Sequence, residues 1–303
     1  MSNRFHTVAC LAQHGIGPEV MAEASRAVDA ASRLHGFFVD ESHVPFGAVA
    51  LMRFGHPFPV SSRQAVLDAD AVLVASDGDE AIETLGDELD LRAAVVRVRF
   101  GEQAELSLFS PLRDEAWAWT LERGFSLARV SRARIALVGV DRRWARDADA
   151  AAERYAGIEI DRVQANDAMK ALVLAPEQFD VVVCTPELAD TAAELAASLA
   201  ETRTRAWGRL APSGPSLFGP THGAADDIAG QGVADPRSML LAAALMLGEG
   251  LGERSAAATL ASAVWRAAAV REQRSTRGFA DVVLAQLPLA LANAEFYREA
   301  AWQ

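Results

Sequence analysis

Lysine is almost absent from this chain of 303 residues. Lys170 is the only lysine, so arginine supplies nearly all of the 29 basic side chains. A mechanism that needs a lysine amine as acid, base or Schiff-base former therefore has a single candidate, because an arginine guanidinium stays protonated in proteins. Tyrosine is also scarce, since Tyr155 and Tyr297 are the only two.

Cysteine and long apolar runs are scarce as well. Cys10 and Cys184, the only cysteines, lie in or beside apolar runs typical of buried strands, which favours two core thiols over a disulfide framework. The apolar run over residues 239–247 is too short to span a bilayer. The N-terminal run leads straight into a turn and so predicts a first strand rather than a signal peptide. We expect a cytoplasmic protein with no membrane partner.

Positive charge is in deficit. The net charge is −12, so the chain lacks the general attraction to phosphate backbones that nucleic-acid-binding proteins use. Nucleic acid is therefore not an expected partner. A hydrophobic content of 51% with 23% charged residues is ordinary for a globular protein, and the length allows one large domain or two of ordinary size.

Short β-branched apolar runs alternate with long helical stretches, which predicts an α/β fold with a mostly parallel central sheet flanked by helices. The predicted strands cover residues 7–13, 71–76, 95–100, 134–140, 158–163 and 179–185. The predicted helices cover residues 18–35, 61–68, 114–130, 144–156, 188–201, 237–249, 254–271 and 277–299. Pro, Gly and Ser mark chain reversals at 106–115 and 209–220.

Three motifs carry candidate chemistry, each with a plain structural alternative. "QHGIGPEV" (13–20) predicts a glycine turn that presents helix N-terminal amides to an anion, although an ordinary strand-to-helix turn fits it too. Asp190 and Glu194 share one helix face and could bind Mg²⁺ or Mn²⁺, or simply form a solvated acidic face. In "HGAADDIAG" (222–230), Asp226 or Asp227 could accept hydrogen bonds from ribose hydroxyls, or belong to a surface loop.

Taken in order, these motifs resemble the β-decarboxylating dehydrogenases, the isocitrate and isopropylmalate dehydrogenase family. The other matching segments are "LDLR" (89–92) and "STRGFADVV" (275–283). The resemblance implies a homodimer of a two-domain α/β fold that binds NAD or NADP and oxidises a metal-bound 2-hydroxy acid. Applied to this chain, it predicts a large cofactor domain, residues 1–98 plus 214–303, and a smaller domain, residues 99–213, with the dimer interface and a remnant metal site.

The nucleotide side of the family pattern is the better preserved. The resemblance implies these cofactor-binding residues: Gly15, Ile16, Gly17, Pro18, Glu19, His222, Gly223, Asp227, Ile228 and Asp235. Asp227 falls where NAD-preferring members carry an acid, which would repel the 2′-phosphate of NADP. There are also departures from the pattern, since His14 replaces an aspartate, Gly219 a glutamate and Asp235 an asparagine.

The metal and acid–base positions depart further. The family's metal-binding segment aligns with "PELADTAAE" (186–194), which keeps Asp190, changes the second aspartate to Glu194, and puts Pro186 in place of an asparagine. The third carboxylate, given across the dimer in the family, aligns with Asn166, and a one-residue slip would make it Asp167. Magnesium or manganese would therefore be held by Asp190, Glu194 and Asp167. The catalytic lysine aligns with Arg142, which cannot act as a general base.

The substrate side is the most altered. Two carboxylate-clamping arginines align near Gly86 and Val96, and the segment carrying a third arginine and the catalytic tyrosine is absent. Loss of a single general acid or base costs ~10²–10⁴ in rate, so we expect the family's own reaction to be lost. Two hypotheses follow: a repurposed NAD-dependent oxidoreductase acting on an atypical hydroxy acid or alcohol, or a non-catalytic ligand sensor or partner subunit. We expect a homodimer, or a heteromer with an active paralogue.

Overall fold

A computed structural model describes residues 4–12, 15–76, 85–86, 88–100, 104–142, 144–199, 205–270 and 275–300 of the chain. At residues 100, 104 and 293–300 the description extends to the backbone only. The strands, in chain order, are β1 Arg4–Leu11, β2 Phe37–His43, β3 Ala71–Val74, β4 Ala93–Phe100, β5 Ala104–Pro111, β6 Arg134–Val138, β7 Glu159–Val163, β8 Val181–Val183, β9 Ala206–Leu210 and β10 Ser216–Pro220.

The helices are α1 Gly17–His35, α2 Gly47–Phe54, α3 Val60–Leu67, α4 Trp117–Val130, α5 Ala145–Arg154, α6 Ala165–Leu174, α7 Pro186–Leu199, α8 Arg237–Leu245, α9 Arg254–Ala268 and α10 Thr276–Ala300. Short 3₁₀ turns cover Asp114–Ala116 and Pro176–Gln178, and a π-helical turn, Met246–Gly250, follows α8. Within the described ranges, none of these helices is both long enough and apolar enough to cross a membrane.

The chain forms two compact units. Unit 1 comprises Met1–Asp90 and Ser213–Gln303, and unit 2 comprises Leu91–Pro212. The predicted boundary at 98/99 falls inside β4. β4 pairs with β5 along its length and with β9 from Ala93 to Arg97. All three strands belong to unit 2, which begins at Leu91, before β4.

The strands of unit 1 lie in the order β2-β1-β3-β10, and all of these neighbours pair in parallel. β3 is the sequence AVLV with every residue buried, the pattern expected of a parallel strand covered on both faces. Helices α1, α8, α9 and α10 pack against one another, and their many buried alanines permit this close approach.

The strands of unit 2 lie in the order β9-β4-β5-β8-β6-β7. β9, β4 and β5 pair antiparallel, whereas β5, β8, β6 and β7 pair in parallel. Helix α4 packs so tightly on this sheet that a Cβ at Gly124 would lie 2.6 Å from Val183 Cγ2. Helix α7 packs on β4 and β5, and between them lies a core that includes Leu106, Leu108 and Cys184.

The predicted α/β class with a mostly parallel sheet is confirmed, but some elements were missed. The stretch 106–115 was expected to be a chain reversal, yet most of it extends β5 to Pro111 before the chain turns. Ser107 and Ser110, which suggested a loop, are buried in that strand. The reversal at 209–220 is shorter than predicted, because β10 begins at Ser216.

Candidate functional site

The glycine turn after β1 delivers the chain into α1. Gly15 has φ of +69°, in the left-handed region that favours glycine, and α1 begins at Gly17 with Pro18 in its first turn. Among the described residues, no side chain caps the N-terminus of this helix. Uncapped N-terminal amides can bind an anionic group such as a phosphate. Gln13 and His14 of the same motif lie outside the described residues.

The turn packs directly against the loop that follows β10. The backbone N–H of Ile16 donates to the carbonyl oxygen of Ala224 at 2.8 Å. A Cβ atom at Gly15 would lie 2.0 Å from that same oxygen, so a side chain at Gly15 is excluded by contact as well as by backbone angle. Two motifs that are far apart in the sequence therefore form one continuous surface of unit 1.

Glu19 connects α1 to the far end of this loop. Its Oε2 accepts a hydrogen bond from the N–H of Gly232 at 3.0 Å, while its Oε1 is buried without a hydrogen-bond partner among the described residues. Thr276, at the start of α10, holds the other side of the loop. Its N–H donates to the Gly232 carbonyl at 2.9 Å, and its hydroxyl donates to the Ala234 carbonyl at 2.7 Å. The loop is thus anchored by α1 at both ends and by α10.

The predicted adenosine-side residues lie along this anchored loop. Asp227 and Gly223 are exposed, whereas His222 and Ile228 are half-buried. The N–H of Ile228 donates to the Ala225 carbonyl at 3.2 Å, which forms a tight turn around Asp227. The exposed carboxylate of Asp227 can therefore accept hydrogen bonds from ribose hydroxyls.

Asp235 is engaged within the protein. Both of its carboxylate oxygens accept hydrogen bonds from the side chain of Arg237, and Oδ1 also accepts from the Arg237 backbone N–H at 3.0 Å. Hydrogen bonding to Asp235 raises the pKa of the Arg237 guanidinium. Asp235 therefore orders the entry to α8, and its role toward a cofactor stays a prediction.

The predicted metal carboxylates lie on two packed helices of unit 2, α6 and α7. Asp190 and Glu194 are exposed one turn apart on α7. Oε1 of Glu194 already pairs with Nη1 of Arg205 at 2.7 Å. Asp167 pairs with Lys170 at 3.2 Å on α6. Within the part of the chain that the structure describes, the three carboxylates do not converge as one group of metal-ligating atoms.

The candidate acid–base positions are equally dispersed. Arg142 is exposed in the turn before α5, and Asn166 is exposed in the first turn of α6. Tyr155, which ends α5, has its ring stacked on Phe125 with 5.4 Å between centroids, and the Arg129 guanidinium lies 5.4 Å from the Tyr155 ring. Tyr155 is therefore a packing residue of unit 2.

Val96 on β4 is the position that the resemblance predicts for a substrate-binding arginine. Val96 packs against the core of unit 2. Arg97 points to the opposite face of the strand, where it pairs with Glu105 at 2.9 Å and donates to the Ser107 hydroxyl. The alternation of side chains along a strand thus separates Arg97 from the position of Val96.

The fold is an α/β fold that solved dehydrogenase structures share. A β-decarboxylating dehydrogenase from Thermococcus kodakarensis in its apo form has a TM-score of 0.80 at 21% identity, with 96% of this chain and 98% of that chain covered. An isocitrate dehydrogenase from Methylococcus capsulatus has a TM-score of 0.75 at 21% identity, covering 93% and 99%. At this identity the likeness concerns the fold.

Sequence comparison identifies the family. Residues 116–287 match the family model described as isocitrate/isopropylmalate dehydrogenase. A 3-isopropylmalate dehydrogenase from Prochlorococcus marinus is 30% identical over 331 aligned positions, which cover 87% of this chain and 91% of the relative. One from Lactococcus lactis is 29% identical, covering 85% and 90%. The chain belongs to the isocitrate/isopropylmalate dehydrogenase family.

Two contacts of the nucleotide side were not foreseen from the sequence. Ala224 and Gly232 act through backbone carbonyl and amide groups, which any residue type carries, so composition and spacing give no signal for them. The proximity of Cys10, Glu41 and His43 in unit 1 was also not foreseen. It could not be predicted without knowing how β1 pairs with β2.

Proposed function

We propose that this chain binds NAD at the surface formed by the turn 15–19 and the loop 222–235. The observation that carries the proposal is the docking of Gly15 and Ile16 onto Ala224, which holds the uncapped N-terminus of α1 beside a loop with an exposed carboxylate. A helix N-terminus favours an anionic pyrophosphate. Asp227 would accept hydrogen bonds from the ribose and repel a 2′-phosphate, so NAD is expected to bind more tightly than NADP.

The test is calorimetric titration of the whole chain with NAD and with NADP. The Asp227→Ser variant should lose most of the preference for NAD, because the repulsive carboxylate is gone. Asp226→Ser is the matched control, since it removes the adjacent exposed acid and should leave the preference unchanged. Equal affinities for the two nucleotides in the wild-type chain, or an unchanged preference in Asp227→Ser, would refute the assignment.

As an oxidoreductase, the chain would transfer a hydride to NAD from a hydroxy acid or alcohol that is less anionic than isocitrate. This is supported by β4, where the position predicted to bind a substrate carboxylate is occupied by Val96, which faces the core. The adjacent Arg97 is paired with Glu105 on the opposite face of the strand. Arg142 cannot take up the hydroxyl proton. We therefore expect no NAD reduction with isocitrate, isopropylmalate, malate or tartrate, and robust turnover on any of them would contradict the proposal.

A divalent metal fits this chain less well than the nucleotide does. Asp190, Glu194 and Asp167 offer the hard oxygen ligands that Mg²⁺ and Mn²⁺ prefer, but Glu194 is paired with Arg205 and Asp167 with Lys170. These pairs favour the second candidate, a non-catalytic ligand sensor or a partner subunit of an active paralogue. Calorimetry with Mn²⁺ separates the two, since binding of NAD and Mn²⁺ favours the enzyme and binding of NAD alone favours the sensor.

Dimer formation through unit 2 is part of the proposal. Val173 and Leu174 at the end of α6 and Leu199 at the end of α7 are large apolar side chains left exposed on packed helices, and Leu174 is 83% exposed. Large apolar side chains left exposed in this way favour a surface that another chain covers. Light scattering should report a dimer that Leu174→Glu weakens, whereas a wild-type monomer would favour association with a different chain.

A further inference from the structure

The parallel strands β1 and β2 of unit 1 bring together three residues with metal-ligating side chains. Cys10 and His43 are register partners across the two strands, and Glu41 precedes His43 by two residues on the same face. One ligand atom from each, the Cys10 Sγ, a Glu41 carboxylate oxygen and a His43 ring nitrogen, all lie within 4.8 Å of one another. This is the one such group of three in the part of the chain that the structure describes.

The spacing fits a tetrahedral metal. Zinc–ligand bonds of about 2.0–2.3 Å at tetrahedral angles put neighbouring ligand atoms about 3.3–3.8 Å apart. His43 Nε2 and Glu41 Oε2 are 3.6 Å apart. The other two separations are at most 4.8 Å. The His43 side chain is 54% exposed and can rotate to shorten its own distance to the Cys10 sulfur.

One carboxylate oxygen of the group lacks a hydrogen-bond partner among the described residues. It is Oε1 of Glu41, which is buried. Cys10 is a free, fully buried cysteine. A buried carboxylate oxygen without a donor is costly, and a cation at this point would satisfy both the carboxylate and the sulfur.

We infer that Cys10, Glu41 and His43 form a zinc site that fastens β2 to β1. One thiolate, one imidazole and one carboxylate form a ligand set suited to Zn²⁺, with the fourth position left to water. β2 pairs with β1 alone among the described strands of unit 1, so the metal would hold an edge strand in register. The site is separate from the carboxylates on α6 and α7 and does not depend on the proposed nucleotide binding.

The test is titration of the reduced, metal-free and tag-free whole chain with Co²⁺, followed by displacement with Zn²⁺. A thiolate ligand gives a near-ultraviolet charge-transfer absorption with Co²⁺, which oxygen ligands alone do not give. We expect this absorption to saturate at one equivalent, to disappear in Cys10→Ser, and to persist in Cys184→Ser, the matched control at the other buried thiol. No absorption in the wild-type chain, or absorption that survives Cys10→Ser, would overturn the inference.

A second variant covers the case in which Cys10→Ser does not fold. His43→Asn changes a largely exposed side chain and should leave the circular dichroism spectrum unchanged while weakening Zn²⁺ binding at least about tenfold. Zn²⁺ should also slow hydrogen exchange across residues 37–43 in the wild-type chain and not in His43→Asn. Unchanged Zn²⁺ affinity in a folded His43→Asn variant would exclude this histidine as a ligand and sink the site.

Discussion

Replacing Gly15 by alanine tests whether the glycine turn and the loop after β10 act as one surface. The new residue would have to hold φ near +69°, which costs a non-glycine residue about 1–2 kcal/mol. Its Cβ would lie 2.0 Å from the Ala224 oxygen, so the turn must move away and lose the bond from Ile16 N–H, a further loss of about 0.5–1.5 kcal/mol. We expect Gly15→Ala to be destabilised by about 2–3 kcal/mol and to bind NAD poorly.

Gly36→Ala is the matched control for the backbone angle. Gly36 has φ of +70°, and a Cβ there would meet no atom within 4 Å, so this variant carries the angular cost without the clash. Chemical denaturation measures the stability difference, and calorimetry measures NAD binding in both variants. If Gly15→Ala is no less stable than Gly36→Ala and binds NAD equally well, the docking of the turn onto Ala224 does not shape the nucleotide surface.

Two further predictions concern packing and pH. Gly250→Ala should lower the free energy of unfolding by about 1–3 kcal/mol, because the new Cβ would lie 2.7 Å from Phe218 Cε2. The control is Gly223→Ala, where a Cβ would meet no atom within 4 Å. It should have no effect in the same denaturation assay. Burial, followed by the charges of Asp190 and Glu187, raises the pKa of Cys184 to about 12 from 9.0. Between pH 9 and 12 the Cys184 thiol keeps its proton in the folded chain and releases it in the unfolded chain. The free energy of unfolding should therefore fall as the pH rises through this range, and it should fall less steeply in Cys184→Ser.

Much of the fold could be predicted from the pattern of apolar residues. The buried strand β3 and most of the helices follow directly from apolar runs and periodicity, whereas the short helices α2 and α6 were not predicted. β2 was missed because FFVDESH mixes charged and exposed residues on an edge strand. β5 was missed because two buried serines and a terminal proline resemble a loop. In both strands, neighbouring chain segments rather than local composition decide the structure.

At the candidate site, the contacts between residues could not be predicted. The motifs predicted Gly15, Glu19 and Asp227 as cofactor-binding residues, and that role stays a prediction. That Glu194 is paired with Arg205 could not be predicted, because the arginine lies beyond the helix that carries the carboxylate. The grouping of Cys10 with His43 also required the register of β1 against β2, which no local pattern encodes.

A nucleotide site on this surface can be located by hydrogen exchange of the whole chain with and without NAD. We expect NAD to slow exchange in peptides that cover residues 15–19 and 222–235, because the ligand would cover the N-terminus of α1 and the loop docked on it. Absence of protection in both segments at saturating NAD, or protection confined to other parts of the chain, would contradict a nucleotide site at this surface.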